Sequence, residues 1–203
     1  MKILCIGRNY EDHAKELKNP LPSEPVIFSK PDSALLRNND PFFLPDFAQS
    51  FHHEVEIVVR INRLGKNIDA KFANRYYDEI GLGIDFTARD LQDELKGKGL
   101  PWEKAKAFDS SAVISPFVSK DKYPDLEHLN FHLNINGETR QKGNTEDMIF
   151  NIDQIISHVS KYFTLKIGDY IFTGTPAGVG PIEIGDRLQG FIEGENFFDF
   201  LVK

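Results

Sequence analysis

Three carboxylates offer the first chemistry in this chain. Glu54 and Glu56 alternate in His53-Glu54-Val55-Glu56-Ile57-Val58-Val59, and Asp85 closes the apolar run Ile80-Gly81-Leu82-Gly83-Ile84. On a strand the two glutamates share a face, while Val55, Ile57, Val59 and Ile61 point the other way into a core. Alone, that alternation describes a solvent-facing sheet surface. Asp85 shifts the balance, because a carboxylate ending an apolar strand sits where water is scarce and needs a partner: a metal ion, or a buried Arg or Lys. Three carboxylates with no His or Cys pattern beside them form a hard, all-oxygen donor set, which selects Mg²⁺, Mn²⁺ or Ca²⁺ over zinc or copper. Against a dication they leave about one net negative charge, so an anionic ligand also needs cations nearby. Arg89, Lys106 and Lys30 are the candidates.

Other polar groups carry weaker signals. His13 and Glu16 lie three apart in a helix-compatible segment, so the carboxylate can orient the imidazole and raise its basicity, although such pairs are also common on solvated helices. Gly7-Arg8-Asn9-Tyr10 places a glycine and polar groups at a strand end, where backbone often approaches a ligand. Lys104 and Lys106 flank Ala105 in a hydrophilic stretch, and either alone suits solvent. The loop Gly174-Thr175-Pro176-Ala177-Gly178-Val179-Gly180 lacks the Gly-Lys-Ser/Thr ending of a phosphate loop and reads as a tight turn. His52, His53, His128, His132 and His158 lack metal-ligand spacing and receive no role.

The elements that must position these groups are mostly strands. Lys2 to Gly7 and Val26 to Ser29 read as strands; Tyr10 to Leu17 between them reads as a helix stopped by Asn19-Pro20-Leu21-Pro22. Residues 31–45 favour loops and hairpin turns, and Phe51 to Ile61 reads as one long strand. Asp69 can cap a helix running to about Tyr77. Thr87-Ala88-Arg89-Asp90 is a variant capping box for a helix through Lys96, closed by Gly97 and Gly99. Val113 to Val118 follows as a strand, and Leu129 to Ile135 then turns at Asn136-Gly137, a pair suited to a type I′ hairpin, into Glu138 to Gln141. Asp153 to Tyr162 is the clearest helix. Asp169 to Thr173, Arg187 to Ile192 and Phe197 to Val202 finish as strands. The expected fold class is mixed α/β, predominantly β: a sheet folded on itself with a few covering helices.

The chain of 203 residues, 40% hydrophobic, is long enough for one sizeable core, so a single domain over 1–203 is the expectation. A net charge of -7 argues against a sequence-independent grip on nucleic acid, which needs clustered Lys and Arg. No stretch approaches a membrane span or a secretory h-region, and the sequence reads as soluble, unprocessed and cytoplasmic. The lone Cys5, in an apolar run, reads as a buried inert thiol.

In order along the chain, Gly7-Arg8-Asn9-Tyr10 with His13, Glu24-Pro25, Lys30-Pro31, His53-Glu54-Val55-Glu56, Asp85-Phe86-Thr87-Ala88-Arg89-Asp90 with Gln92, Gly99-Leu100-Pro101-Trp102 with Ala105-Lys106, and Thr173-Gly174-Thr175-Pro176 with Gly178-Val179-Gly180 resemble the fumarylacetoacetate hydrolase family. The likeness is to its short branch of acylpyruvate hydrolases and oxaloacetate decarboxylases. It implies a β-sandwich roll that forms a homodimer, with Mg²⁺ or Mn²⁺ on Glu54, Glu56 and Asp85. It further implies a lid helix carrying a His13/Glu16 dyad, a substrate lysine at Lys106, and Thr175 on the substrate carboxylate. Arg8, Lys30, Arg89 and Gln92 match pocket-lining positions. The chain would begin directly at the catalytic domain, without the extra N-terminal domain of long members. Ala107 departs from the frequent Ser after the lysine, at the cost of one hydroxyl contact.

The implied activity is cleavage of the C3–C4 bond of a 2-oxo acid through a metal-stabilised pyruvate enolate. An acylpyruvate such as acetylpyruvate or fumarylpyruvate needs water activated by His13, whereas oxaloacetate releases CO₂ without water. An isomerase or tautomerase of enol and keto acids would use the same groups. A non-catalytic protein, with solvated or Ca²⁺-bound carboxylates, is the reading from another class.

Overall fold

The computed structural model describes residues 1–17 and 20–203, so Asn19, part of the expected helix stop, lies outside the described residues. In chain order the elements are β1 (Ile3–Gly7), α1 (Glu11–Glu16), β2 (Val26–Lys30), β3 (Leu35–Leu36), β4 (Phe51–His53), β5 (Val55–Ile61), α2 (Ala70–Ala73), β6 (Tyr77–Asp85), β7 (Thr87–Ala88), α3 (Arg89–Gly97) and α4 (Glu103–Lys106). There follow β8 (Ala112–Ile114), β9 (Val118–Ser119), β10 (Asn130–Ile135), β11 (Glu138–Asn144), α5 (Ile152–Tyr162), β12 (Tyr170–Phe172), β13 (Gly180–Pro181), β14 (Arg187–Ile192) and β15 (Glu195–Leu201). Strand exceeds helix, 37% against 21%, and the expected predominantly β class holds.

The largest sheet runs β2-β1-β12-β5-β6-β8-β3, with β9 also on β6; β1/β12 and β3/β8 are parallel pairs and the others antiparallel. A second sheet, β11-β10-β14-β15, packs over it, burying Phe131, Leu133, Leu188, Phe198 and Phe200 against Ile57, Ile80 and Leu82 in one core. Asn136 and Gly137 both have positive φ, 54° and 83°, as the type I′ reading of the β10/β11 turn requires. Gly83, in the centre of β6, meets Phe172, Val58 and the Val113 carbonyl so closely that a Cβ would lie 2.6–2.8 Å from them. That close approach allows β6 to run between β5 and β8 directly behind the carboxylates.

Four local expectations are corrected. The long strand Phe51–Ile61 is two strands: β4 belongs to a small sheet with β7 and β13, and the chain passes into the large sheet at Glu54. Thr87 is not a helix cap; it lies in β7, its hydroxyl donates to the Asp85 carbonyl at 3.2 Å, and the N-cap of α3 is Ala88, which offers no side-chain cap. Asp90 instead accepts from the Gln49 and Leu91 N–H groups. The strand expected over 113–118 breaks at Ser115-Pro116, because proline has no N–H for the ladder. Asp69 does cap a helix, but α2 stops at Ala73 because Tyr77 already pairs within β6.

Candidate active site

The register of β5 on β6 brings the three acids together. Val55 pairs with Ile84 and Glu56 with Gly83, so Glu54 faces Asp85 across the ladder, and the Asp85 N–H donates to the Glu54 carbonyl at 2.9 Å. Carboxylate oxygens of Glu54, Glu56 and Asp85 lie within 4.8 Å of one another, and all three residues are buried. The solvent-face alternative is thereby excluded: both faces of β5 are covered. Like charges directly across a ladder repel, so this arrangement needs compensating cations.

Those cations are present. Lys106 Nζ lies 2.7 Å from Glu54 Oε2 and 2.6 Å from Asp85 Oδ2, below the Phe28 ring at 5.1 Å. The Arg89 guanidinium bonds Glu54 Oε1, the Gln92 side-chain oxygen at 2.7 Å and His52 Nδ1 at 3.5 Å. Lys30 Nζ lies 2.7 Å from Asp85 Oδ1 and donates to Ser111 Oγ at 2.9 Å and to the Lys106 carbonyl. Lys30, expected to line the cleft, instead sits behind Asp85, because an ammonium at the end of β2 finds its acceptors there. Of the two lysines the sequence left level, Lys106 is buried and Lys104 exposed.

Charge is distributed unevenly among the acids. Burial would raise the Glu54 carboxyl, yet Lys106 and Arg89 hold it well below the usual range. Glu56 is pushed well above that range by burial and by Asp85 and Glu54, against the Gly174 N–H that donates to it at 2.7 Å. Burial works against the Lys106 ammonium, but Asp85 and Glu54 keep its pKa raised. Around Glu56 negative charge thus exceeds what the lysines offset. A converging set of three buried oxygen donors with that excess fits a hard divalent cation such as Mg²⁺ or Mn²⁺, and Glu54, Glu56 and Asp85 are the residues that would hold it.

His13 lies in α1 over this floor, buried, with Nδ1 3.3 Å from Glu16 Oε2. Burial lowers its pKa more than Glu54 and Glu16 raise it, so the imidazole is neutral at pH 7. Glu16 in turn accepts from the Gly178 N–H at 3.2 and 3.3 Å, which ties α1 to the glycine loop. At Gly178, φ is 96° and a Cβ would meet the Arg140 carbonyl at 2.6 Å, so that loop tolerates no side chain there. The space beneath α1, lined by Arg8, His13, Arg89, Gln92, Lys106, Thr175 and the three acids, is about 30 Å³, room for a water or two. A four-carbon acid enters only if α1 or its neighbours move.

Thr175 lines the cleft, but its hydroxyl already donates to the Val55 carbonyl at 2.9 Å and accepts from Gln141 Nε2 at 2.8 Å. Gln141, which the sequence reading passed over, is a fourfold brace. Its Oε1 lies 2.8 Å from His53 Nδ1 and 3.0 Å from the Val55 N, and its Nε2 also donates to the Pro176 carbonyl at 3.0 Å. It pins both sides of the Glu54 break to the Thr175 loop. Only its place in an alternating hairpin hinted at burial. Lys96 was also passed over. It follows Arg89 and Gln92 at helical spacing on the buried side of α3, and that spacing was the available signal.

Residues 2–197 match the fumarylacetoacetate (FAA) hydrolase C-terminal family. The mouse (Mus musculus) protein named oxaloacetate tautomerase FAHD1, mitochondrial, is 47% identical over 99% of this chain and 91% of its own length. The Dictyostelium discoideum protein named oxaloacetate decarboxylase, mitochondrial, is 43% identical over 95% of this chain and 89% of its own. A crystal structure of fumarylpyruvate hydrolase from Pseudomonas aeruginosa, in complex with Mn²⁺ and pyruvate, matches with a TM-score of 0.94 and 34% identity, covering 100% of this chain and 89% of that one.

Proposed function

The chain belongs to the fumarylacetoacetate hydrolase family and is an enzyme of it; from that premise we propose that it is a Mg²⁺- or Mn²⁺-dependent enzyme of short 2-oxo acids, with oxaloacetate as its substrate. Interconversion of enol and keto forms is the first reaction, and cleavage of C3–C4 the second reading. The sequence alone ranked them in the opposite order. The change is supported by relatives named oxaloacetate tautomerase, and His13, oriented by Glu16 beside the carboxylate floor, suits proton transfer at C3.

Glu54, Glu56 and Asp85 would hold a divalent ion, which when bound would supply Lewis-acid stabilisation of an enolate. With Nδ1–H donated to Glu16, His13 Nε2 is free to take a proton from C3. The C–H electron pair then forms the C2–C3 double bond, the carbonyl pair moves onto O2, and O2 takes the proton back from the His13 imidazolium, directly or through water, to give the enol; the reverse steps give the keto acid. Lys106 offsets the negative charge that develops at O2. Arg89 and Gln92 orient the acid, and Thr175 reaches a substrate carboxylate once its hydroxyl turns from Val55.

Cleavage is retained as the second reading because the Pseudomonas aeruginosa hydrolase, crystallised with pyruvate, is so similar. In an acylpyruvate, His13 takes a proton from water as its oxygen attacks C4. The C3–C4 bond then breaks, its electron pair leaving with the pyruvate enolate. Oxaloacetate loses CO₂ with no base. The homodimer and the single catalytic domain belong to the same proposal, with light scattering as the check on the dimer. We also keep the cytoplasm, which the lone buried Cys5 supports through its need for no oxidising compartment and which fractionation tests.

The deciding experiment follows oxaloacetate with purified protein and Mg²⁺, recording enol absorbance and pyruvate release in parallel. Enol change well ahead of pyruvate, with both lost on chelation by EDTA, is the expected result. Pyruvate released in step with enol loss would promote cleavage to first place; no metal-dependent change in either defeats the proposal.

A further inference from the structure

Arg8 and Lys96 stand at the rim of the same cleft and take no part in the steps above. Lys96 Nζ donates to Gln92 Oε1 at 3.1 Å, the oxygen that also accepts from Arg89, and lies 5.4 Å over the Trp102 ring. Arg8 occupies the turn between β1 and α1 with φ at 60°, a conformation uncommon for a residue with a long side chain. The turn is fixed by Asn9, whose amide donates to the Phe150 and Thr173 carbonyls at 2.9 and 2.8 Å. A side chain held at such backbone cost, on a braced turn, faces the cleft for a reason other than local comfort.

Both cations are half-buried, and among the described residues neither forms an ion pair. Arg89, Lys106 and Lys30, deeper in, each have a carboxylate. On the floor three acids face three cations. A divalent ion adds two positive charges, which the substrate's C1 carboxylate and the charge developing at O2 balance. Arg8 and Lys96 stand outside that balance, and among the described residues no carboxylate pairs with either. Half-buried like charges repel, as the lowering of the Lys96 pKa to about 8 reflects: burial is its first cause, with Arg89, Arg8 and Lys106 adding to it against exposed Asp93.

We propose that Lys96 and Arg8 form a subsite for the distal carboxylate of a dicarboxylic 2-oxo acid, selecting such acids over analogues that end in a neutral acyl group. The proposal rests on the 2-oxo acid reading above and narrows its substrate class. Lys96, on α3, and Arg8, on the opposite rim, grip the second carboxylate from two sides, each through charge-assisted hydrogen bonds.

The test measures kcat and KM for oxaloacetate and acetylpyruvate on Mg²⁺-loaded wild type, Lys96→Met and Lys96→Arg. Lys96→Met is expected to lower the kcat/KM ratio of oxaloacetate to acetylpyruvate about tenfold, mostly through KM, the scale of one charge-assisted hydrogen bond. Lys96→Arg is expected to restore most of that ratio. A second readout is melting temperature: Lys96→Met should lose most of the stabilisation given by malate, a four-carbon dicarboxylate, relative to that given by oxalate, which has no distal group. If both substrates weaken together, or malate and oxalate lose equally, Lys96 merely supports Gln92 and Trp102 and the subsite is overturned. If wild type turns over neither substrate, the 2-oxo acid reading itself falls and this one with it.

Discussion

Glu56 and Asp85 are carried by β5 and β6 at the centre of the largest sheet, and Glu54 sits at the entry to β5, its carbonyl bonded by the Asp85 N–H, whereas Arg8, His13 and Glu16 are carried by a turn and the short α1. The floor is buried, and Glu54 and Asp85 are paired with Lys106, Arg89 and Lys30, while Glu56 among the described residues has the Gly174 N–H and no cation. The rim holds half-buried cations that have no acid partner among the described residues, and it is tied down by a few hydrogen bonds such as Gly178 to Glu16. Proton transfer next to a bound cation asks for both: ligands that do not move and a base that does, because the closed cleft admits only a water or two. Floor substitutions should therefore damage fold and function together, and rim substitutions function alone.

The largest effect is expected from Asp85→Ala. It strips one carboxylate from the donor set and leaves Lys30 and Lys106 with fewer buried partners. Breaking a buried pair by removing one member costs about 3–5 kcal/mol, or roughly 10 °C in Tm for a domain of this size. Activity should fall to background and Mg²⁺ should no longer raise Tm. An Asp85→Ala protein that keeps Mg²⁺ stabilisation would remove the metal reading of the floor.

His13→Ala draws the opposite result from the rim. Mg²⁺ stabilisation should persist, while acylpyruvate hydrolysis falls about 10²–10⁴-fold, the range for a lost general base. Decarboxylation of oxaloacetate, which needs no base, should suffer less. In wild type, burial lowers the His13 pKa from 6.5. The active neutral form thus persists through neutral pH, and kcat/KM for acetylpyruvate should fall on the acid side as the imidazole protonates. A fall beginning above pH 7 would show that His13 is not the base, or that its site is wetter than described.

The contrast between floor and rim also decides what the sequence could disclose. Asn136-Gly137 announced its hairpin because both residues must accept positive φ, a purely local demand. The break at Glu54 was invisible, since apolar residues recur in one phase at Phe51, Val55, Ile57, Val59 and Ile61 on both sides of it, and only the pairing of β4 with β7 reveals it. For the same reason Glu54 and Glu56 looked like a solvent face: alternation reports which residues share a side, and the cover over that side comes from α1, α3 and α4. Lys106 could not be separated from Lys104 by composition, because a four-residue helix carries no periodicity to choose a buried face. Thr87 had the spacing of a cap, but the Asp85 carbonyl claimed its hydroxyl first.

Gln141 joins the two regions, and Gln141→Leu should give an intermediate effect. It orphans the Val55 N–H and the Pro176 carbonyl, at about 1–3 kcal/mol per buried group, and releases Thr175 and His53. Tm should drop by several degrees and kcat/KM by about tenfold, one hydrogen bond's worth of positioning. Gln141→Glu separates the contributions: it keeps the acceptor for Val55 and loses the donors to Thr175 and Pro176. If Gln141→Glu restores Tm but leaves kcat/KM low, the brace acts on the Thr175 loop. Recovery of both would mean that the floor alone depends on it.

The smallest expected effect is a change of selectivity with pH, read from the rim alone. Lys96 faces Gln92, Arg89 and Asp93 on its own helix, Arg8 across the cleft, and Lys106 and Trp102 from α4 and its approach. The cations and burial bring its pKa to about 8, so it is charged below that pH and loses its proton above it. KM for oxaloacetate should rise severalfold between pH 7 and 9, while KM for acetylpyruvate, which has no second carboxylate, should change less. In Lys96→Arg, whose guanidinium stays charged throughout this range, the extra rise for oxaloacetate should vanish. A rise that survives in Lys96→Arg would have to come from the floor, from Lys106 or the ion itself, and would then appear for both substrates, because both place their C1 carboxylate there.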